Sequence, residues 1–209
     1  MNGSDLSKLN YRVVSIESFH ELFESSYSDW FPNQTVSLAD ENLQARLRGL
    51  ILMTFSNQTD HILLSTGNKS EIALGYCTLY GDMNGALSVI ADLSKTRVYE
   101  LCDFINKKNG KDVIPQSILT KAPSAELKDD QVDPFDYDHI SPLVDEIIEK
   151  RRSKEELLQA GHDKSIIDDL FKRIFNSEFK RFQASIVLKI SSKSFGLGRL
   201  YPMTNHYKG

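Results

Sequence analysis

The residues that could do chemistry gather first between positions 62 and 71. A short apolar run, Ile62-Leu63-Leu64, gives way to Ser65-Thr66-Gly67-Asn68, and the carboxylate of Glu71 follows three residues later. In an open α/β sheet, ligands sit beyond the carboxyl ends of the strands. A strand that ends in small and hydroxylated residues and runs into a helix offers backbone N–H groups to phosphate there. A carboxylate in the first helical turn then suits magnesium, which binds through one or two carboxylates together with phosphate oxygens. These residues also fit a plain N-capped helix with a dipole-favoured glutamate, and by themselves they favour that plainer role.

The elements that must position this stretch follow from periodicity. Tyr11–Ile16 reads as a short strand and 18–31 as a helix with a loose end at Trp30-Phe31-Pro32. Asp40 is placed to cap a long helix carrying Leu43, Leu47, Leu50, Ile51 and Phe55 at helical spacing. Residues 61–66 lack polar alternation in ILL, as expected of a parallel strand buried on both faces. Ser70–Leu79 reads as a helix or helical turn, YGDMNG (80–85) as a loop, and Val89-Ile90 as a second strand. Ser94 caps a helix with Val98, Leu101, Cys102 and Ile105, and 115–134 is long and mostly irregular. Ser141-Pro142 reads as an N-cap followed by a first-turn proline. Ser153 with Glu156 makes a capping box, Gly161 a stop, and Asp163 a new start. IVLKI (186–190) is a last strand-like piece. This order fits an α/β sheet with a helical C-terminal extension.

Composition narrows the function classes. The chain has 209 residues, 40% hydrophobic content and a formal net charge of -4, which suits one domain with one core. No apolar run nears the roughly 20 residues of a membrane span, and MNGSDLSKLN has neither the basic nor the apolar part of a secretory signal. Cys77 and Cys102 lie in apolar periodic segments outside any CxxC or Cys/His cluster, so they read as reduced, buried thiols of a cytoplasmic protein. From Lys172 to Lys208 eight Lys/Arg face one acid, Glu178. Charge alone makes that tail a solvated face or a subunit contact; nucleic-acid binding would rest on this feature only.

Five segments change the balance when set side by side. ENLQARLRGLILM (41–53), TGNKSEIALGYCTLYGD (66–82), DLSKTRVYELCDFIN (92–106), IPQSILTKAPSAELKDDQ (114–131) and EFKR (178–181) occur in this order. Together they resemble the synthetase domain of glutamine-dependent NAD synthetase, over about 40–181 and on into SFGLGR (194–199). The resemblance implies a parallel-sheet, adenine-nucleotide-hydrolase-like (Rossmann-like) core. It implies one domain over 1–209, with an α/β core over about 1–135, helices over 136–182 and a basic tail over 183–209.

It also implies a reaction. The carboxylate of deamido-NAD attacks the α-phosphorus of ATP, pyrophosphate leaves, and ammonia then displaces AMP to give NAD. An upstream glutaminase domain supplies that ammonia from glutamine. By resemblance, Thr66, Lys95 and Ser124 contact ATP, with Lys121 as a further phosphate candidate. Glu71 carries Mg²⁺, and Arg46 and Lys180 reach deamido-NAD, with Asp82 as a further candidate. Lys95 fits its part chemically, since an ammonium neutralises the charge building on leaving pyrophosphate. Arg46 also lies in a helix that the resemblance places near the interface of a homodimer or higher homo-oligomer.

The sequence departs from the family at defined places. The Ser-Gly-Gly-x-Asp-Ser phosphate loop is absent, and so is any glutaminase cysteine, glutamate and lysine set. Leu79 and Ala86 stand where other members carry a lysine and an aspartate around the YGD. The chain therefore reads as the back part of a larger synthetase, inactive or nearly so alone. Two other readings are an ATP-pyrophosphatase amidotransferase with another acceptor, such as a GMP-synthetase-like enzyme, and a non-catalytic interaction module that keeps the fold.

Overall fold

The computed structural model describes residues 10–30, 37–196 and 198–204. Three parallel strands of two residues each, β1 (Leu64–Ser65), β2 (Leu87–Ser88) and β3 (Ile186–Val187), form a sheet in the order β1-β2-β3. Around them run α1 (Glu17–Tyr27), α2 (Leu38–Thr59), α3 (Lys69–Leu74), α4 (Lys95–Asn109), α5 (Gln116–Thr120), α6 (Tyr137–Ile148), α7 (Lys154–Gln159), α8 (Lys164–Asn176) and α9 (Glu178–Arg181). The α/β class with a parallel sheet and a helical C-terminal part is the one expected.

The core lies on one side of this sheet. Ile72, Ala73 and Leu74 of α3 pack against Val144, Ile147 and Ile148 of α6, Leu157 of α7, and Ile167, Leu170, Phe171 and Ile174 of α8. Each fully buried aliphatic side chain contributes about 1.5–3 kcal/mol by leaving water. The start expected at Asp163 holds: Asp163 caps α8 by accepting from the N–H groups of Ser165 and Ile166. The Ser153–Glu156 capping box forms as expected at the start of α7.

Several local expectations are corrected. Residues 10–16 form no strand and are almost all exposed. The α2 N-cap is Ser37; Asp40 is the third helical residue and its carboxylate accepts from the Ser37 N–H at 2.6 Å. Asp40 is the reach-back arm of a capping box and not the cap itself. Leu50 and Phe55 of α2 remain 63% and 48% exposed, so their helical spacing does not mark core. After α1 the chain forms one 3-10 turn over Ser28–Trp30; Phe31 and Pro32 lie outside the described residues. The strand expected over 61–66 is reduced to Leu64–Ser65, and the second strand is Leu87–Ser88 with 89–90 in a turn. Helix α6 starts five residues before Pro142, because Asp136 accepts from the N–H groups of Asp138 and His139. Ser141 and Pro142 are therefore interior. Cys77 and Cys102 are free thiols but half-buried, not buried.

Candidate functional site

Two cavities of about 340 and 290 Å³ meet at the carboxyl end of β1. They share Ala45 of α2, Asp82, Ala125 and Leu127, and form one cleft between α2, the 78–86 loop and the 125–127 segment. Thr66 opens onto the first cavity and Lys180 onto the second, while Asp82 borders both.

Small residues build this cleft. A Cβ on Gly49 would sit 2.5 Å from the Asn84 amide nitrogen and 3.1 Å from the carbonyl oxygens of Tyr80 and Gly81. Glycine at that point of α2 lets the 78–86 loop lie close against the helix. The loop is then pinned from both sides. Thr78 N–H donates to Asp82 Oδ1 at 2.6 Å, and Thr78 Oγ1 donates to Asn42 Oδ1 at 2.7 Å. Protein crowding around Asp82 at the cleft wall raises its carboxyl pKa, despite its opening to solvent. Burial also pushes the neighbouring Cys77 thiol up to about 12, with the Asp82 charge adding to the shift.

Lys180 bridges distant segments. Its ammonium donates to the carbonyls of Gly75 and Cys77 at 2.8 and 2.7 Å, which are left open where α3 ends. Next to it, Arg181 is buried, pairs with Glu178 at 2.9 Å and lies 4.6 Å over the Phe195 ring. Lys180 thereby brings one charge of the basic C-terminal segment to the cleft.

Glu71 and Lys95 form a second group. Glu71 Oε2 accepts from the Asn68 N–H at 2.9 Å, and Asn68 Oδ1 accepts from the Glu71 N–H at 3.1 Å. Glu71 Oε1 holds the Lys95 ammonium at 2.9 Å, with both side chains about four-fifths buried. The capping role and the charge role thus coincide in one residue. Neither side chain lines the cleft.

Behind this pair lies a buried ionic frame. Lys69 is fully buried and its ammonium stands 3.1 Å from Asp92, 3.4 Å from Asp145 and 2.7 Å from Glu149. Arg97 adds 3.2 and 2.9 Å contacts to Asp145 and Glu149. Ser94 occupies the α4 cap position, yet its hydroxyl donates to Asp145 instead of capping. Ser70 Oγ accepts from the Lys95 N–H at 3.1 Å and bonds Ser141 Oγ at 2.9 Å. The starts of α3 and α4, which carry Glu71 and Lys95, are so fixed to α6. Burial drives the Asp145 carboxyl up in pKa. At Asp92 burial is outweighed by donors from Ser191, Ile190 and Lys69, which hold it below the ordinary range.

The remaining sequence candidates lie apart. Arg46 donates its Nε to the Leu79 carbonyl at 3.2 Å and borders a separate apolar groove between α1 and α2. Ser124 Oγ accepts from the Glu126 N–H at 3.0 Å, and Lys121 pairs with Glu126 on the exposed loop. The structure brings Thr66, Asp82 and Lys180 to one cleft and pairs Glu71 with Lys95. It does not bring Arg46, Lys121 or Ser124 to that cleft. Sequence reasoning missed Arg48, which lines the first cavity with Thr66 and Asp82. The available signal was the Ala45/Gly49 pair at helical spacing, which marks the face of α2 that the 78–86 loop approaches.

Among the described residues no cluster of three or more His, Cys, Asp or Glu could hold a metal. The lone carboxylate of Glu71, engaged with the Asn68 N–H and Lys95, makes no preformed magnesium site; magnesium that arrives with phosphate ligands needs only one or two carboxylates.

Comparison with known proteins gives this geometry its family. The model of the NAD synthase family matches residues 5–184. A glutamine-dependent NAD(+) synthetase of Synechocystis sp. is 42% identical over 202 residues, which are 95% of this chain and 36% of the relative. A glutamine-dependent NAD+ synthetase of Acinetobacter baumannii, solved in complex with adenosine diphosphate, shares 35% identity at a TM-score of 0.50, over 91% of this chain and 34% of that one. The NH3-dependent NAD synthetase of Campylobacter jejuni, solved with nitrate, superposes with a TM-score of 0.60 at 26% identity, covering 82% and 63%. The chain spans about a third of the length of the curated relatives it matches. With a family match over 5–184 and the cleft at the end of a parallel strand, this chain belongs to the NAD synthase family.

Proposed function

We propose that this chain is the synthetase part of a glutamine-dependent NAD synthetase. It acts in the ATP-dependent amidation of deamido-NAD through an adenylated intermediate, with ammonia delivered from glutamine by another part of the enzyme. The observation that carries this reading is the cleft at the carboxyl end of β1, where Thr66, Asp82 and Lys180 converge in a chain of this family.

In this reading Thr66 and the backbone after it receive the nucleotide at the strand end. Glu71 accepts the Mg²⁺ that ATP carries, and doing so frees Lys95, 2.9 Å away, to meet the phosphate charge. An ammonium there stabilises departing pyrophosphate more than bound ATP, which is what accelerates the step. Lys180 and the basic segment around it attract deamido-NAD, itself a polyanion. Arg46, Ser124 and Lys121 join from α2 and the 121–132 loop once the substrates are bound. Two copies associate through α1 and α2, where Phe23, Tyr27, Trp30, Leu43, Leu47 and Leu50 line an apolar groove of about 630 Å³. No helix among the described residues is long and apolar enough to cross a membrane, and we place the enzyme in the cytoplasm.

The test is NAD formation from deamido-NAD, MgATP and ammonium chloride. The 209-residue chain is assayed alone and with the polypeptide that relatives carry beyond the matched stretch. Activity only in the combined form is expected, since no Ser-Gly-Gly-x-Asp-Ser loop occurs in this sequence. ATP turnover at a normal rate by the chain alone, or no turnover in either folded form, refutes the reading. Glu71→Gln in the active form should lower the apparent affinity for Mg²⁺.

A further inference from the structure

Lys95 has a second neighbour besides Glu71. Its ammonium lies 5.3 Å from the centroid of the Tyr137 ring, within the roughly 6 Å at which an aromatic face attracts a cation. Both groups are largely shut off from water: the Lys95 side chain is 19% exposed and Tyr137 5%. That attraction strengthens as water is excluded. Glu71 and Tyr137 thus hold one ammonium between them, the first as a counter-charge and the second as a face.

The ring is fixed from behind. Tyr137 is the first residue of α6, and its hydroxyl donates to Asp133 Oδ2 at 3.0 Å in a buried bond. Phe135 lies against it with ring centroids 6.0 Å apart. Asp133 is itself 9% exposed, and its N–H donates to the Pro123 carbonyl at 2.8 Å, which ties the base of the loop carrying Ser124 to α6. Its second oxygen, Oδ1, is buried without a hydrogen-bond partner. Leaving a carboxylate oxygen so unsatisfied costs stability, and packing gives no reason for it. The unscreened charge does act on the ring. A phenol that donates to a carboxylate becomes more electron-rich, and its face attracts a cation more strongly. Burial and the charges of Asp133 and Glu71 raise the Tyr137 pKa, so the phenol remains a neutral donor.

We propose that Tyr137 is a positioning residue for Lys95, and that Asp133 sets and charges its ring. Once Glu71 is engaged by the metal that ATP carries, Lys95 has lost its carboxylate. The Tyr137 face remains and keeps the ammonium at the start of α4, where a flexible four-carbon stem would otherwise swing into solvent. A ring suits this task better than a second carboxylate, which would compete with phosphate for the same charge. No bond is made or broken at Tyr137; it acts only through Lys95. This rests on the synthetase reading, but the hold of the ring on Lys95 is measurable without catalysis.

The test compares two rings of the same shape at position 137. Phenylalanine keeps the negative face, whereas pentafluorophenylalanine reverses it. In the 209-residue chain carrying Glu71→Gln, which removes the carboxylate as the metal would, acetylation of Lys95 by acetic anhydride is followed by mass spectrometry. The exposed Lys107 serves as internal reference. The fluorinated ring should raise the Lys95 rate about threefold or more over phenylalanine, because the ammonium is no longer held on the face. In the active combined form the fluorinated ring should lower kcat about tenfold relative to phenylalanine, with KM for ATP changed by less than about threefold, since the lysine acts on the departing charge. In a Lys95→Met background the same exchange should change kcat by less than about twofold. If either ring prevents folding, 3,5-difluorotyrosine against tyrosine gives the same acetylation contrast with the hydroxyl retained. Equal acetylation with both rings, or a loss of kcat that persists in the Lys95→Met background, overturns the proposal. An acetylation contrast in a chain whose combined form makes no NAD supports the hold of Tyr137 on Lys95 and refutes the synthetase reading.

Discussion

Replacing Lys69 by methionine tests whether the frame behind Glu71 and Lys95 is structural in the way its geometry says. The ammonium is fully buried among Asp92, Asp145 and Glu149 at 3.1, 3.4 and 2.7 Å. Lys69 and Arg97 supply two positive charges against three carboxylates, so the cluster is already one charge negative. Methionine keeps the stem volume and leaves three carboxylates facing Arg97, whose side chain is 41% exposed. Removing one partner from a buried ion pair costs roughly 3–5 kcal/mol, because the remaining charge is desolvated and uncompensated. For a chain of this size about 1 kcal/mol moves the midpoint by roughly 2–4 °C, so the loss should be about 6–20 °C. The assay is thermal and urea unfolding of the 209-residue chain followed by circular dichroism. The control is Lys154→Met, which removes a partly exposed pair with Asp168 and should cost about 0–1 kcal/mol. The deficit of Lys69→Met should also shrink as pH falls, since the stranded carboxylates then take up protons. A loss no larger than that of the control, or one that stays constant down to acid pH, refutes the reasoning.

Three further outcomes follow from the same geometry. Gly75 has φ +68°, and a Cβ there would sit 2.0 Å from Ser177 Oγ, so Gly75→Ala should lower stability. The left-handed backbone and the overpacking together cost roughly 2–5 kcal/mol by urea titration. Burial holds the Cys77 thiol up at about 12, so iodoacetamide should label it at least tenfold more slowly than free cysteine at pH 8, read by mass spectrometry. Asp92 and Glu149 have lowered folded pKa values, so their contribution is present above the ordinary carboxylate range. It is lost as pH falls through the depressed values, while buried Asp145, shifted upward, acts in the opposite sense. Unfolding midpoints between pH 7 and pH 3 should therefore drop chiefly below about pH 4.

Much of this protein is determined by local sequence. The start of α8 at Asp163, the Ser153–Glu156 box and the turn-rich 80–85 loop were legible because each involves residues within one or two helical turns. The ordered motifs likewise identified the family, and the Asn68–Glu71 capping box was foreseeable from its spacing. Other features depended on what packs against what. Only the tertiary structure decided that the apolar residues of β1 face open space on one side, or that Lys69 is a buried ion and not a solvated one. It also decided that Arg48, not Arg46, meets the cleft, since residues two apart on a helix face different neighbours. Hydrophobicity tells a chain which residues seek cover, whereas the cover itself comes from segments far away in sequence.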